Sequence, residues 1–170
     1  MEVKNCAVTQ SDTTITKLYG KQNDGTYHTG VDITATSVYS ICNCVVTDVS
    51  KETSGTYIVT CQYDDERSIR YGNLTSVDVS IGQPVRYKST IGQAAGHIHF
   101  EYLERSATNS FPVRIGGQTY FKVDPVDVIA NTRSKALGEY AKHDYILDIH
   151  PNPAHLSREM LDESIGGWDP

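Results

Sequence analysis

The chain has 170 residues, 38% of them hydrophobic, and a formal charge of −6 at pH 7, which suits a single globular core with an appendage. No two Lys or Arg residues are adjacent, so the clustered cations that a nucleic-acid partner requires are excluded. No apolar run approaches the ~18 residues needed to span a bilayer, and Met1 to Cys6 carries no apolar signal core.

Thr, Val, Ile and Tyr are plentiful, and these side chains suit pleated, half-buried surfaces. The expected class is therefore mostly β, antiparallel, with an extended or helical C-terminal arm. Lys21 to Gly25 reads as a loop closed by the turn dipeptide Asp24-Gly25. Val38 to Val49 is a strand-rich run ended by the polar cluster Ser50 to Gly55. Thr56 to Tyr63 follows as a strand and Asp64-Asp65-Glu66 as an acidic turn, so the two runs predict a hairpin with a longer loop. Ser68–Leu74, Val85–Lys88 and His97–Glu104 complete the set.

The composition shifts after Asp124-Pro125. Residues 131–170 hold four basic and seven acidic residues. Ser134–Ala141 and Ala154–Ser164 read as short helices on either side of the breaker Pro151-Asn152-Pro153. Gly166-Gly167 then leaves Trp168 near the tip, placed to anchor in a partner's pocket. The expected division is a domain over 6–130 and an arm over 131–170. His143, His150 and His155 lie in that arm without ligand spacing and read as surface or interface residues.

Four cysteines, Cys6, Cys42, Cys44 and Cys61, are expected as reduced, buried thiols. Cys42 and Cys44 are two apart and predict sulfurs on one face of a strand. No further ligand at tight spacing turns them into a zinc site.

Two short patterns carry chemistry: Tyr27-His28-Thr29-Gly30-Val31-Asp32 and Gly96-His97-Ile98-His99-Phe100-Glu101. On a strand, His97 and His99 leave the same face, with Cα atoms about 7 Å apart, while Ile98 and Phe100 face the apolar side. One ring can bind a metal while the other sits over a water. In an extended chain His28 and Asp32 would stand roughly 13 Å apart. Gly30 between them permits a kink that could bring them together. Imidazole and carboxylate are suitable zinc donors, and three protein ligands plus a water is a catalytic rather than a structural layout.

The order His28-x-Gly30-x-Asp32, Tyr71-Gly72-Asn73-Leu74, His97-x-His99-Phe100-Glu101 resembles the lysostaphin/LytM-type zinc endopeptidases. Val79-Ser80-Ile81-Gly82-Gln83-Pro84-Val85, Ile91-Gly92 and Val123-Asp124-Pro125 resemble that family's intervening segments. The resemblance runs over about residues 6–130. It implies a small antiparallel β-sandwich with a groove, zinc held by His28, Asp32 and His99, and His97 as general base or water-orienting histidine. It implies peptidoglycan peptide cross-links as substrate. Asn73 stands where the family usually has a histidine that helps stabilise the oxyanion, and Gly92 to Gly96 is shorter than the family's Gly/Ser/Thr-rich loop. A weakened endopeptidase is expected, in a phage tail or baseplate, with the arm docked to other virion proteins; a secreted or wall-associated location is the alternative. The competing function is a non-catalytic structural virion protein that reuses the fold. Histidine phosphotransfer on a related β-fold is weaker, since it gives Asp32 no metal to bind.

Overall fold

Alternation of buried and exposed side chains is the local signal that sets most strands. In Val31–Tyr39, for example, Val31, Ile33, Ala35 and Val38 are buried, with more exposed residues between. The computed structural model describes residues 1–129; the expected arm, its helices, Trp168, His143, His150 and His155 lie outside them. Among the described residues there are twelve strands: β1 (Glu2–Cys6), β2 (Ser11–Lys17), β3 (Gly20–Lys21), β4 (Tyr27–His28), β5 (Val31–Tyr39), β6 (Cys44–Lys51), β7 (Tyr57–Gln62), β8 (Arg67–Val77), β9 (Pro84–Val85), β10 (Thr90–Glu104), β11 (Pro112–Ile115) and β12 (Gln118–Val123). One short helical turn, α1 (Val126–Ile129), follows.

Ten strands join in one antiparallel sheet in the order β1-β2-β5-β10-β8-β7-β6-β9, with β12 on β10 and β11 on β12. β3 and β4 form a separate two-stranded ribbon. One buried cluster draws on both ends of this path, from Val3 of β1 to Val85 of β9, through Ile33, Phe100, Tyr71 and Val46. Full burial of a sheet face needs a second layer, and here the sheet's own ends and connecting loops supply it. The expected mostly-β, antiparallel class is what the chain adopts.

Three local expectations need correction. The run from Val38 to Val49 is not continuous strand: β5 stops at Tyr39, and 41–43 form a bend before β6. The bend is as apolar as a strand because Ile41 and Cys42 are fully buried there, and the buried Tyr71 hydroxyl accepts the Ile41 N–H at 3.1 Å. Cys42 is therefore not on a strand with Cys44, although all four cysteines are free and buried. Second, Val85–Lys88 is extended only at Pro84–Val85, since Lys88 adopts a φ of 73°. Third, Gly92 to Gly96 is not a linking loop. It lies inside β10, whose pairing with β5 and β8 is interrupted by bulges.

β10 positions the site. It is held by β5 on one side and β8 on the other, with Asp32 opposite His99, Val31 opposite Phe100, and Gly72 opposite His99.

Candidate metal centre

Two residues apart on β10, His97 and His99 share one face, while Ile98 and Phe100 between and beyond them are fully buried in the core. Asp32 reaches that face from β5, and His28 arrives from β4 across the Thr29-Gly30 turn. His28 Nε2 stands 3.2 Å from Asp32 Oδ1, and His99 Nδ1 stands 3.0 Å from the same oxygen. The three donor atoms all lie within 4.8 Å of one another, the one such group of metal-binding side chains among the described residues. Gly30 serves this convergence by leaving space. A Cβ there would lie 2.4 Å from the Phe100 carbonyl oxygen and 2.9 Å from His99 Nε2, and its φ is not in the left-handed region.

Second partners settle which nitrogen of each ring faces inward. His28 donates from Nδ1 to the Leu18 carbonyl at 3.0 Å, which leaves Nε2 as the inward lone pair. His99 Nε2 lies 2.9 Å from Glu101 Oε1, which leaves Nδ1 toward Asp32. Glu101 is itself held by Arg70 at 3.2 Å and Lys122 at 3.1 Å. Donor atoms about 3.3 Å apart are what tetrahedral coordination at bond lengths of ~2.0–2.1 Å requires, close to the 3.2 and 3.0 Å at which the two rings stand from Asp32 Oδ1. The residues fit zinc.

The electrostatics follow from the same contacts. Burial works against a charged His99 ring, but hydrogen bonds to Asp32 and Glu101 outweigh it and lift its pKa to about 9. Burial pushes the Asp32 carboxyl up, yet the His99 hydrogen bond and the neighbouring imidazoles hold it below the usual carboxylate value. Glu101 resists burial in the same way, brought down to about 2 by His99, Arg70 and Lys122.

His97 is exposed at the edge of the group. Asn73 sits opposite a bulge: Leu74 pairs with Ala94 and Gly72 with His99, so four β10 residues face Asn73 alone. Its φ of 63° is left-handed, a conformation that Asn adopts more readily than most residues. Its Nδ2 donates to the His97 carbonyl at 2.9 Å and lies 3.3 Å from His97 Nε2. Sequence reasoning gave no role to Glu101, Arg70, Lys122 or the Leu18 carbonyl. Only Glu101 left a signal, two residues beyond His99 on the same strand face.

Residues 26–111 match the family model described as peptidase family M23. No curated protein sequence matches the chain. Among solved structures, LytU is similar with a TM-score of 0.55 and 18% identity, over 76% of this chain and 91% of that one. The catalytic domain of lysostaphin from Staphylococcus simulans is similar with a TM-score of 0.51 and 22% identity, over 67% and 90%. A mutant catalytic domain of the prophage-encoded M23 protein EnpA from Enterococcus faecalis gives 0.51 and 22%, over 66% and 88%.

Proposed function

Since this chain belongs to peptidase family M23, we propose that it is a zinc-dependent endopeptidase domain for peptidoglycan cross-links, weakened at Asn73. The convergence of His28, Asp32 and His99, each histidine turned by a second hydrogen bond, carries this reading. A zinc ion held there would supply a water of lowered pKa and polarise the scissile carbonyl. Glu101 keeps the His99 ring in the tautomer that offers Nδ1. His97, exposed beside the three ligands, would orient the attacking water and accept its proton.

Metal binding must displace a proton from His99. In the metal-free chain the ring bridges two carboxylates and stays protonated up to about pH 9, whereas a ligand nitrogen needs its lone pair free. The sign follows: zinc affinity rises with pH and levels off as His99 loses its proton. Calorimetry at about pH 7, in buffers of different ionisation enthalpy, should report close to one proton released per ion. A proton count near zero at that pH would contradict the assignment of His99.

Asn73 offers one amide donor where the related peptidases are expected to have an imidazole, and its amide is already committed to His97. It cannot carry a proton, and loss of one oxyanion donor typically lowers kcat by ~10²–10³. Histidine also tolerates the left-handed backbone at this position. Asn73→His should raise the rate of turbidity loss of purified cell walls by about 10- to 100-fold at unchanged zinc content. If the wild type already matches a competent endopeptidase, the weakening is refuted. If Asn73→His stays inert, the non-catalytic reading gains.

A place in a phage tail or baseplate, with residues 131–170 docked to other virion proteins, is part of the same proposal. Mass spectrometry of purified particles should find the chain, and particles that lack it would end this part of the reading.

A further inference from the structure

Two of the three metal-binding side chains stand on paired strands of the main sheet, Asp32 on β5 and His99 on β10. His28 does not. Pairing of β2 with β5 ends at Lys17, opposite Asp32, and β5 begins at Val31. Between them the chain leaves the sheet as the β3–β4 ribbon. Bonds inside this excursion give it shape, as from Gln22 Nε2 to the Leu18 and Gly20 carbonyls at 3.0 and 2.8 Å. Internal bonds cannot fix where the ribbon stands over β10.

Aromatic rings supply that placement. Tyr27, the residue before His28, stacks on Phe111 with ring centroids 4.4 Å apart and planes inclined by 25°. Tyr19 meets Tyr27 edge-on at 5.6 Å and 90°, and both are favoured ring geometries. Tyr19 also packs against the buried core, and its hydroxyl donates to the Lys122 carbonyl at 3.1 Å. Burial and the neighbouring Tyr27 push that phenol up to about 12, so the donor proton is kept through neutral pH. Adjacent side chains on a strand leave opposite faces, so Tyr27 grips Phe111 on one side of the ribbon while His28 reaches Asp32 on the other.

Phe111 is itself firmly held. Its N–H donates to Asn109 Oδ1 at 2.8 Å, its carbonyl accepts the Lys122 N–H at 3.1 Å, and Asn109 Nδ2 donates to the Lys122 carbonyl at 2.8 Å. Lys122 pairs with Leu103 of β10, and its ammonium lies 3.1 Å from Glu101, the partner of His99. One residue of β12 therefore seats the supports of both histidines.

Resting on the zinc reading of the site, we propose that the Tyr27–Phe111 stack is a clamp that positions His28 at the ion. An isolated two-stranded ribbon is marginally stable in water, while a functional constellation tolerates only about 0.5 Å of misplacement. Tyr27 and Phe111 are positioning residues: neither is a ligand, and their effect passes through His28.

The test uses the full chain, with zinc affinity measured by chelator competition. Phe111→Ala should weaken binding by about 10-fold, the upper scale for loss of an aromatic pair, and Phe111→Tyr should keep the wild-type affinity. In a His28→Ala background, Phe111→Ala should leave the residual affinity of Asp32 and His99 unaltered, because nothing remains for the clamp to position. Phe111→Leu keeps the apolar bulk without a flat ring; it should repeat the pattern with a smaller loss, and it replaces Phe111→Ala if that variant does not fold. Unchanged affinity on loss of the ring, or an equal loss with and without His28, would overturn the clamp. Absence of zinc from the wild type would instead overturn the endopeptidase reading, and the clamp with it.

Discussion

Gly30→Ala should lower zinc affinity by at least about 100-fold, although the added group is one methyl. A displacement of ~1 Å at a constellation of this kind typically costs 10² in function, and the clash here is larger than side-chain adjustment can absorb. The new Cβ would stand 2.4 Å from the Phe100 carbonyl oxygen. Phe100 belongs to β10, paired with Val31 on one side and Tyr71 on the other, so that oxygen cannot retreat without unzipping the sheet. The same Cβ would press on the His99 ring at 2.9 Å. The Thr29-Gly30 turn must move instead, and His28 moves with it. Metal titration followed by competition with a chelator measures the effect; wild-type affinity in Gly30→Ala would show that His28 is not brought to the ion by this turn.

His97 and His99 are chemically identical and two residues apart, yet their substitution should have opposite consequences for the metal. His99→Ala removes one of three donors and takes one hydrogen-bond partner from each of Asp32 and Glu101, the latter keeping Arg70 and Lys122. Zinc content should fall from about one equivalent to under about a tenth. His97→Ala should keep its zinc and lose wall-degrading activity by about 10²-fold or more, the usual scale for a proton-transfer residue. Retention of zinc by His99→Ala, or its loss from His97→Ala, would reverse the two assignments.

The legible parts of this molecule are those that depend on period-two alternation. Ile98 and Phe100 enter the core and His97, His99 and Glu101 leave it because β10 is extended there, and six consecutive letters contain that information. The hairpin of β6 and β7 was readable for the same reason, with Lys51 opposite Tyr57 across a polar loop. The bend at 41–43 was hidden because its residues are apolar and buried, so its composition imitates a strand. Gly92 to Gly96 misled in the other direction: glycine and alanine suggest a loop, but bulges accommodate them inside β10. The reason for Gly30 was partly readable. A small residue was evidently needed, but a requirement for space and one for backbone rotation look the same in sequence. The contacts of Glu101 with Arg70 and Lys122 join residues far apart in the chain, and only strand register reveals them.

The proposed peptidoglycan cleavage and the proposed weakening at Asn73 both depend on one ion held between β4, β5 and β10. X-ray absorption on the zinc-loaded wild-type chain reports that ion's neighbours directly. Two imidazole nitrogens and carboxylate or water oxygen at about 2.0–2.2 Å are expected, without sulfur. Sulfur at about 2.3 Å would place the metal among Cys42, Cys44 and Cys61 instead and contradict the account.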